Sequence, residues 1–141
     1  KERVFHQFRK KLRIAKNNFT NLLHPSAIIP ESVSLGYGSQ VENYAVINVL
    51  TDIGFGTTIK SNCYIGHHAR VGDYVTINPG ATISGFVTIG AQTLIGTGAI
   101  IRDGIHIGSN CIIGMGSVVV KDIPDNSVAF GNPCRVVRSN P

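Results

Sequence analysis

Every sixth residue from Ile29 to Val119 is Ile, Leu or Val, with no break in register. The series runs Ile29, Leu35, Val41, Ile47, Ile53, Ile59, Ile65, Val71, Ile77, Ile83, Ile89, Ile95, Ile101, Ile107, Ile113, Val119. A short fixed period means one structural unit stacked on itself. A helix cannot use it, because a period of six does not stay on one face of a 3.6-residue helix. Two residues before most members stands a small residue, such as Ala45, Thr57, Cys63, Ala69 or Ala81. Val33, Val75 and Val87 are larger, and Ile105 is the bulky exception. Positions two apart on a strand face the same way, so the large and the small residue both point inward. Gly36, Gly54, Gly66, Gly72, Gly90, Gly96, Gly108 and Gly114 follow the series directly. They mark turns that need positive φ or close backbone approach. One unit is a short strand plus a corner. Three units close a triangular coil, and coils stack into a parallel β-helix of about five coils.

This repeat is matched by a second pattern near the C-terminus. Gly116 to Pro124 is followed by Gly131-Asn132-Pro133-Cys134-Arg135-Val136-Val137. Repeat and tail together resemble the hexapeptide-repeat acyltransferases, with Cys134 standing where that family usually has Ala. Ile65-Gly66-His67, Gly72-Asp73-Tyr74, Pro79-Gly80-Ala81-Thr82 and Gly85-Phe86-Val87-Thr88-Ile89-Gly90 are most similar to the bacterial sugar acyltransferases. That group includes sialic acid O-acetyltransferases and UDP-amino-sugar N-acetyltransferases. The resemblance implies an all-β fold, a left-handed parallel β-helix with a short N-terminal helix. The hand comes from the resemblance alone, because parallel crossovers are right-handed in nearly all sheets.

Three regions are expected. Residues 1–23 read as the last helix and exit strand of a nucleotide-binding domain that relatives carry N-terminally and this sequence lacks. Val4, Phe5, Phe8, Leu12 and Ala15 give a helical apolar stripe, and Phe19 to Leu23 is a short apolar run. Residues 24–124 are the β-helix acyltransferase domain. Residues 125–141 are a C-terminal loop and tail near the coenzyme.

The net charge of +5 is concentrated in Lys1, Arg3, Arg9, Lys10, Lys11, Arg13 and Lys16. Without aromatic interleaving or a recognised motif, these read as a solvated helix face rather than a nucleic-acid site. No apolar run reaches the length of a membrane span, so no membrane insertion is expected. Cys63, Cys111 and Cys134 lack metal-ligand spacing, and Cys63 and Cys111 fall on the small inward position. Unpaired thiols suit a bacterial cytoplasm.

Acetyl transfer needs a base near neutral pH, and histidine suits it. His67 follows Gly66 at a corner, where the resemblance implies the catalytic base. Relatives often place an acidic residue after that histidine. Here His68 stands there, so no local carboxylate is available to orient the base. One coil is eighteen residues, so Gly85 stacks over His67. Its N–H is the expected oxyanion donor. By resemblance, and read as continuing along the same edge, Gly96, Thr97, Gly114, Met115 and Gly116 bind the pantetheine arm. Lys121 and Arg135 meet the coenzyme A phosphates, to which basic groups are suited. Thr76 occupies a position where several relatives have a second histidine. No third histidine lies one coil from His67, so no metal is expected.

The reading is an acetyl-coenzyme A-dependent acetyltransferase that acts on the amino group of a nucleotide-linked sugar and works as a homotrimer. O-acetylation of a sialic acid or another sugar hydroxyl is the alternative. A non-catalytic trimeric scaffold is the alternative of another class.

Overall fold

The computed structural model describes residues 2–12 and 14–141, with the side chains of Phe8, Arg9 and Leu12 outside the description. The chain is a left-handed parallel β-helix with three faces. The first face stacks Leu22–Leu23, Gln40–Val41, Thr58–Ile59, Thr76–Ile77, Leu94–Ile95 and Ile112–Ile113, then Ser127–Gly131 and Cys134–Ser139. The second stacks Val46–Ile47, Tyr64–Ile65, Thr82–Ile83, Ile100–Ile101 and Val118–Val119. The third stacks Ser34–Leu35, Asp52–Ile53, Arg70–Val71, Thr88–Ile89 and His106–Ile107. Partners such as Tyr64 and Thr82, or Ile65 and Ile83, are one coil apart and pair in parallel.

The sixfold series fills the interior. Val41 and every later member are buried, and ten of the isoleucines are among the largest fully buried side chains. Ile29 and Leu35 are only partly covered, since they sit at the end of the column with little chain below them. The small positions fill the gaps, and Cys63, Cys111 and Cys134 are all buried free thiols. Burial pushes each of these thiols above its ordinary pKa. Buried hydroxyls are used as well as tolerated. Thr51 donates to the Gly66 carbonyl at 3.0 Å, and Thr93 donates to the Gly108 carbonyl at 2.8 Å. Among the described residues no buried side-chain nitrogen or oxygen lacks a partner, as a dry core requires.

The corners resolve the two roles open to the glycines that follow the series. These glycines are close-approach positions. A Cβ on Gly66 would lie 2.5 Å from the Gly85 nitrogen. Positive φ falls two residues later, at Gly98, Gly116 and His68 (56°), and at the same corner position where Asn78 or Ser84 replaces the glycine, at Gly80 and Phe86 (58°). The left-handed conformation is thus a property of the corner and recurs up the edge.

One expectation is refined and one corrected. The coil number rises from about five to about six turns, because Leu22–Leu23 and Ser127–Gly131 add rungs outside the regular series. Residues 125–141 are mostly not loop. Ser127–Gly131 runs parallel to Ile112–Ile113, and Cys134–Ser139 returns antiparallel to it as a hairpin. The expected exit strand Leu22–Leu23 pairs with Gln40–Val41 and so belongs to the β-helix sheet.

The N-terminal helix α1 (Glu2–Leu12) packs Phe5 against Phe19, Phe55 and Tyr74 on the edge between the third and first faces. Val4 is exposed and Ala15 lies beyond the helix, so Phe5 carries the described part of the stripe. The side chains of Phe8 and Leu12 lie outside the described residues. Lys16 then bonds Asp73 at 2.6 Å. Glu42 accepts hydrogen bonds from Lys60 and Ser61 one coil up, and the Lys60 contact is the main cause that holds its carboxyl below the ordinary value.

Candidate active site

His67 lies on the edge between the second and third faces. Tyr64–Ile65 feeds into it, and Arg70–Val71 leaves it. Gly66 lets this corner nest against the next, where Ser84 and Gly85 stand. A Cβ added to Gly85 would lie 3.0 Å from both Cε1 and Nε2 of His67. The Nε2 side of the ring therefore faces the space that the missing Gly85 side chain leaves open. The Gly85 carbonyl accepts from Gly104, and the His67 carbonyl accepts from Phe86. The Gly85 N–H donates to no atom of the described residues. An unspent backbone donor beside a histidine nitrogen is what an oxyanion site requires.

The other ring nitrogen is engaged. His67 Nδ1 lies 3.0 Å from His68 Nδ1. His68 is stacked on Phe86, with centroids 4.9 Å apart and planes 20° apart. His67 meets the edge of Phe86 at 5.0 Å. The His68 N–H donates to the Val49 carbonyl of the coil below. The corner thus holds a three-ring cluster that was not anticipated as a unit. The signal was available: Phe86 is eighteen residues from His68, one coil away. Thr76 sits on the first face, away from this edge, and His106 points outward from the third.

The expected coenzyme residues do not all share this edge. Lys121 follows Val118–Val119, so it lies on the His67 edge beyond Gly85. Gly96, Thr97, Gly114, Met115 and Gly116 follow first-face strands and form the edge between the first and second faces. The Gly116 N–H donates to the Thr97 carbonyl at 2.9 Å, which stacks the two corners. Arg135 belongs with this second group. It pairs with Phe130 in the hairpin, and a Cβ on Gly114 would lie 2.6 Å from the Phe130 Cβ. The expectation of one continuous edge is corrected: the Thr97 corner is two hexads on from Gly85 and the Met115 corner five, so both lie two corners further round the coil.

In a single chain the His67 edge is open. His67 and His68 are exposed, and Val49, Leu50 and Phe86 beside them are 45%, 54% and 58% exposed. Two apolar cavities of about 420 and 530 Å³ lie elsewhere, one along Leu22–Pro25 and one under α1. Among the described residues no three His, Cys, Asp or Glu converge on a metal position. No described helix is long and apolar enough to cross a membrane.

Comparison with known proteins adds to this geometry. The bacterial transferase hexapeptide (six repeats) family matches residues 51–85 and 86–121. No curated protein matches. Among solved structures, the acetyltransferase domain of PglB from Neisseria gonorrhoeae FA1090, in complex with acetyl coenzyme A, is 34% identical. The match covers 84% of this chain and 58% of that one, with a TM-score of 0.83. A mutant of perosamine N-acetyltransferase from Caulobacter crescentus, in complex with CoA and GDP-perosamine, is 33% identical. There the coverage is 94% and 65%, and the TM-score is 0.86. WeeI from Acinetobacter baumannii AYE is 28% identical, with coverage of 96% and 65% and a TM-score of 0.87. The chain thus spans about three fifths of the length of these structures.

Proposed function

The chain belongs to the bacterial hexapeptide transferase family, and from that premise we propose that it carries the transfer site of an acetyl-coenzyme A-dependent sugar N-acetyltransferase. The acceptor is the amino group of a nucleotide-linked sugar. The observation that carries this reading is the Nε2 side of His67 facing the open side of Gly85, whose N–H is unspent. Two similar structures, bound to acetyl coenzyme A and to CoA with GDP-perosamine, supply the ligand classes.

In this mechanism the acceptor nitrogen attacks the thioester carbonyl and gives a proton to His67 Nε2. The developing oxyanion is held by the Gly85 N–H. Collapse breaks the carbon–sulfur bond, and the proton on Nε2 goes to the leaving thiolate of coenzyme A. No acyl-enzyme intervenes: all three thiols are buried, and among the described residues no serine or cysteine is hydrogen-bonded to His67. Gly96, Thr97, Gly114, Met115 and Gly116 take the pantetheine arm, and Lys121 and Arg135 take the phosphates.

The working unit is a homotrimer. Within one chain the His67 edge and the Thr97 edge are separated by the second face, whose outward Tyr64 and Ile100 are 43% and 47% exposed. A neighbouring copy in a closed ring brings its Thr97 edge against this chain's His67 edge and gives the cleft its second wall. The three free thiols suit a bacterial cytoplasm.

The test is turnover of acetyl-coenzyme A by the full-length protein with GDP-, UDP- and CMP-linked sugars, each with and without an amino group. An amide product from one amino sugar supports the reading. An ester product from a sugar without an amine moves the enzyme to O-acetylation. No turnover across the panel removes the proposal.

A further inference from the structure

The corner that holds His67 contains no carboxylate to fix its ring, yet the ring is fixed. Its Nδ1 is 3.0 Å from His68 Nδ1. A hydrogen bond between two Nδ1 atoms needs one proton, so one ring donates and the other accepts. If His68 donates, the neutral His67 carries its own proton on Nε2 and cannot accept another there. If His67 donates, Nε2 is bare and faces the Gly85 gap. Only the second arrangement makes His67 a base.

We propose that His68 is the positioning residue of this site: its Nδ1 accepts the His67 Nδ1–H and holds His67 in the tautomer with a free Nε2. His68 replaces a carboxylate with a neutral acceptor. When Nε2 takes a proton during transfer, the imidazolium Nδ1–H still has its partner. Phe86 completes the device. It stacks on the His68 face and meets the His67 edge, so one side chain from the coil above sets the angle of both rings. His68 is held in turn by its backbone bond to Val49.

The corners directly below and above, Asn48–Leu50 and Ser84–Phe86, carry no ionisable side chain. The charged residues near this stretch of the stack are Arg70, two residues beyond His68, its strand partner Asp52 one coil below, and Asp103 one coil beyond Gly85. None of the three makes a hydrogen bond to these rings among the described residues.

The role in turnover rests on the acetyltransferase reading, while the tautomer itself does not. Two variants separate acceptor from filler. His68→Phe keeps an aromatic ring on Phe86 and removes the acceptor. His68→Asn places an amide oxygen near the Nδ1 position and suits the left-handed backbone there. In full-length protein, His68→Phe should lower kcat by about 10-fold or more with the KM for acetyl-coenzyme A unchanged. His68→Asn should recover most of that loss. Equal losses in both variants would reduce His68 to packing and overturn the proposal. Imidazole ¹⁵N spectra give a readout without turnover. His67 should be protonated on Nδ1 in the parent and in His68→Asn, and a tautomer mixture in His68→Phe. An unchanged His67 tautomer in His68→Phe overturns the proposal even in an active enzyme. Absence of turnover with the expected tautomer change removes the acetyltransferase reading and leaves the positioning role standing.

Discussion

Replacing His67 by Ala lowers kcat by about 10² or more, the usual scale for loss of a general base. Acetyl-coenzyme A affinity stays nearly the same. The reason is where His67 acts: it takes a proton from the acceptor and does little for the ground state of the donor. The corner should keep its shape, because Phe86 still bonds the His67 backbone carbonyl. Steady-state kinetics with a separate titration of acetyl-coenzyme A checks both halves. A variant that loses donor binding as much as turnover would place His67 in the donor site. A variant that keeps most of its turnover, while His68→Ala loses it, would move the base one residue along the chain.

Replacing Ile83 by Ala costs about 4 kcal/mol of stability, within the usual range for emptying a buried isoleucine. Ile83 is fully buried and pairs with Ile65 below and Ile101 above. Each coil sends one series residue inward from each face, here Ile77, Ile83 and Ile89, and the strand ladders fix their spacing, so the neighbours cannot close the gap without breaking register. Arg70→Ala, at an outward position beside buried Val71, changes stability by about 0.5 kcal/mol or less, as surface substitutions usually do. Denaturant midpoints at one fixed protein concentration measure the pair. Equal losses at the two positions would contradict the inward and outward assignment of the whole series. A loss at Ile83 also reaches the site, since Ser84 and Gly85 follow it directly.

The interior was legible because it repeats. One Ile, Leu or Val in every six residues admits one register, and a shift of a single residue would turn the whole series outward. The stacking of Gly85 over His67 follows from the same count of eighteen. The partition of the coenzyme residues was equally countable and was misread: Thr97 and Met115 differ from His67 by thirty and forty-eight residues, neither a multiple of eighteen. Other features are not periodic and left weaker traces. Ser127–Gly131 and Cys134–Ser139 depart from the sixfold spacing, and their antiparallel pairing depends on the turn between them. The Nδ1 contact of His67 and His68 depends on side-chain rotation, which spacing does not encode. Adjacent residues at a strand corner can point apart; the left-handed backbone at His68 lets its ring reach back to His67.

The most direct test of the central claim is the structure of the full-length protein bound to acetyl-coenzyme A. The thioester carbonyl oxygen should lie about 3 Å from the Gly85 nitrogen, the distance of a working oxyanion donor. His67 Nε2 should face the acceptor side of the carbonyl carbon, and the Thr97 and Met115 edge lining the pantetheine arm should belong to a neighbouring copy. An acetyl group seated away from Gly85, on any other corner of the coil, would contradict the site assigned to this edge.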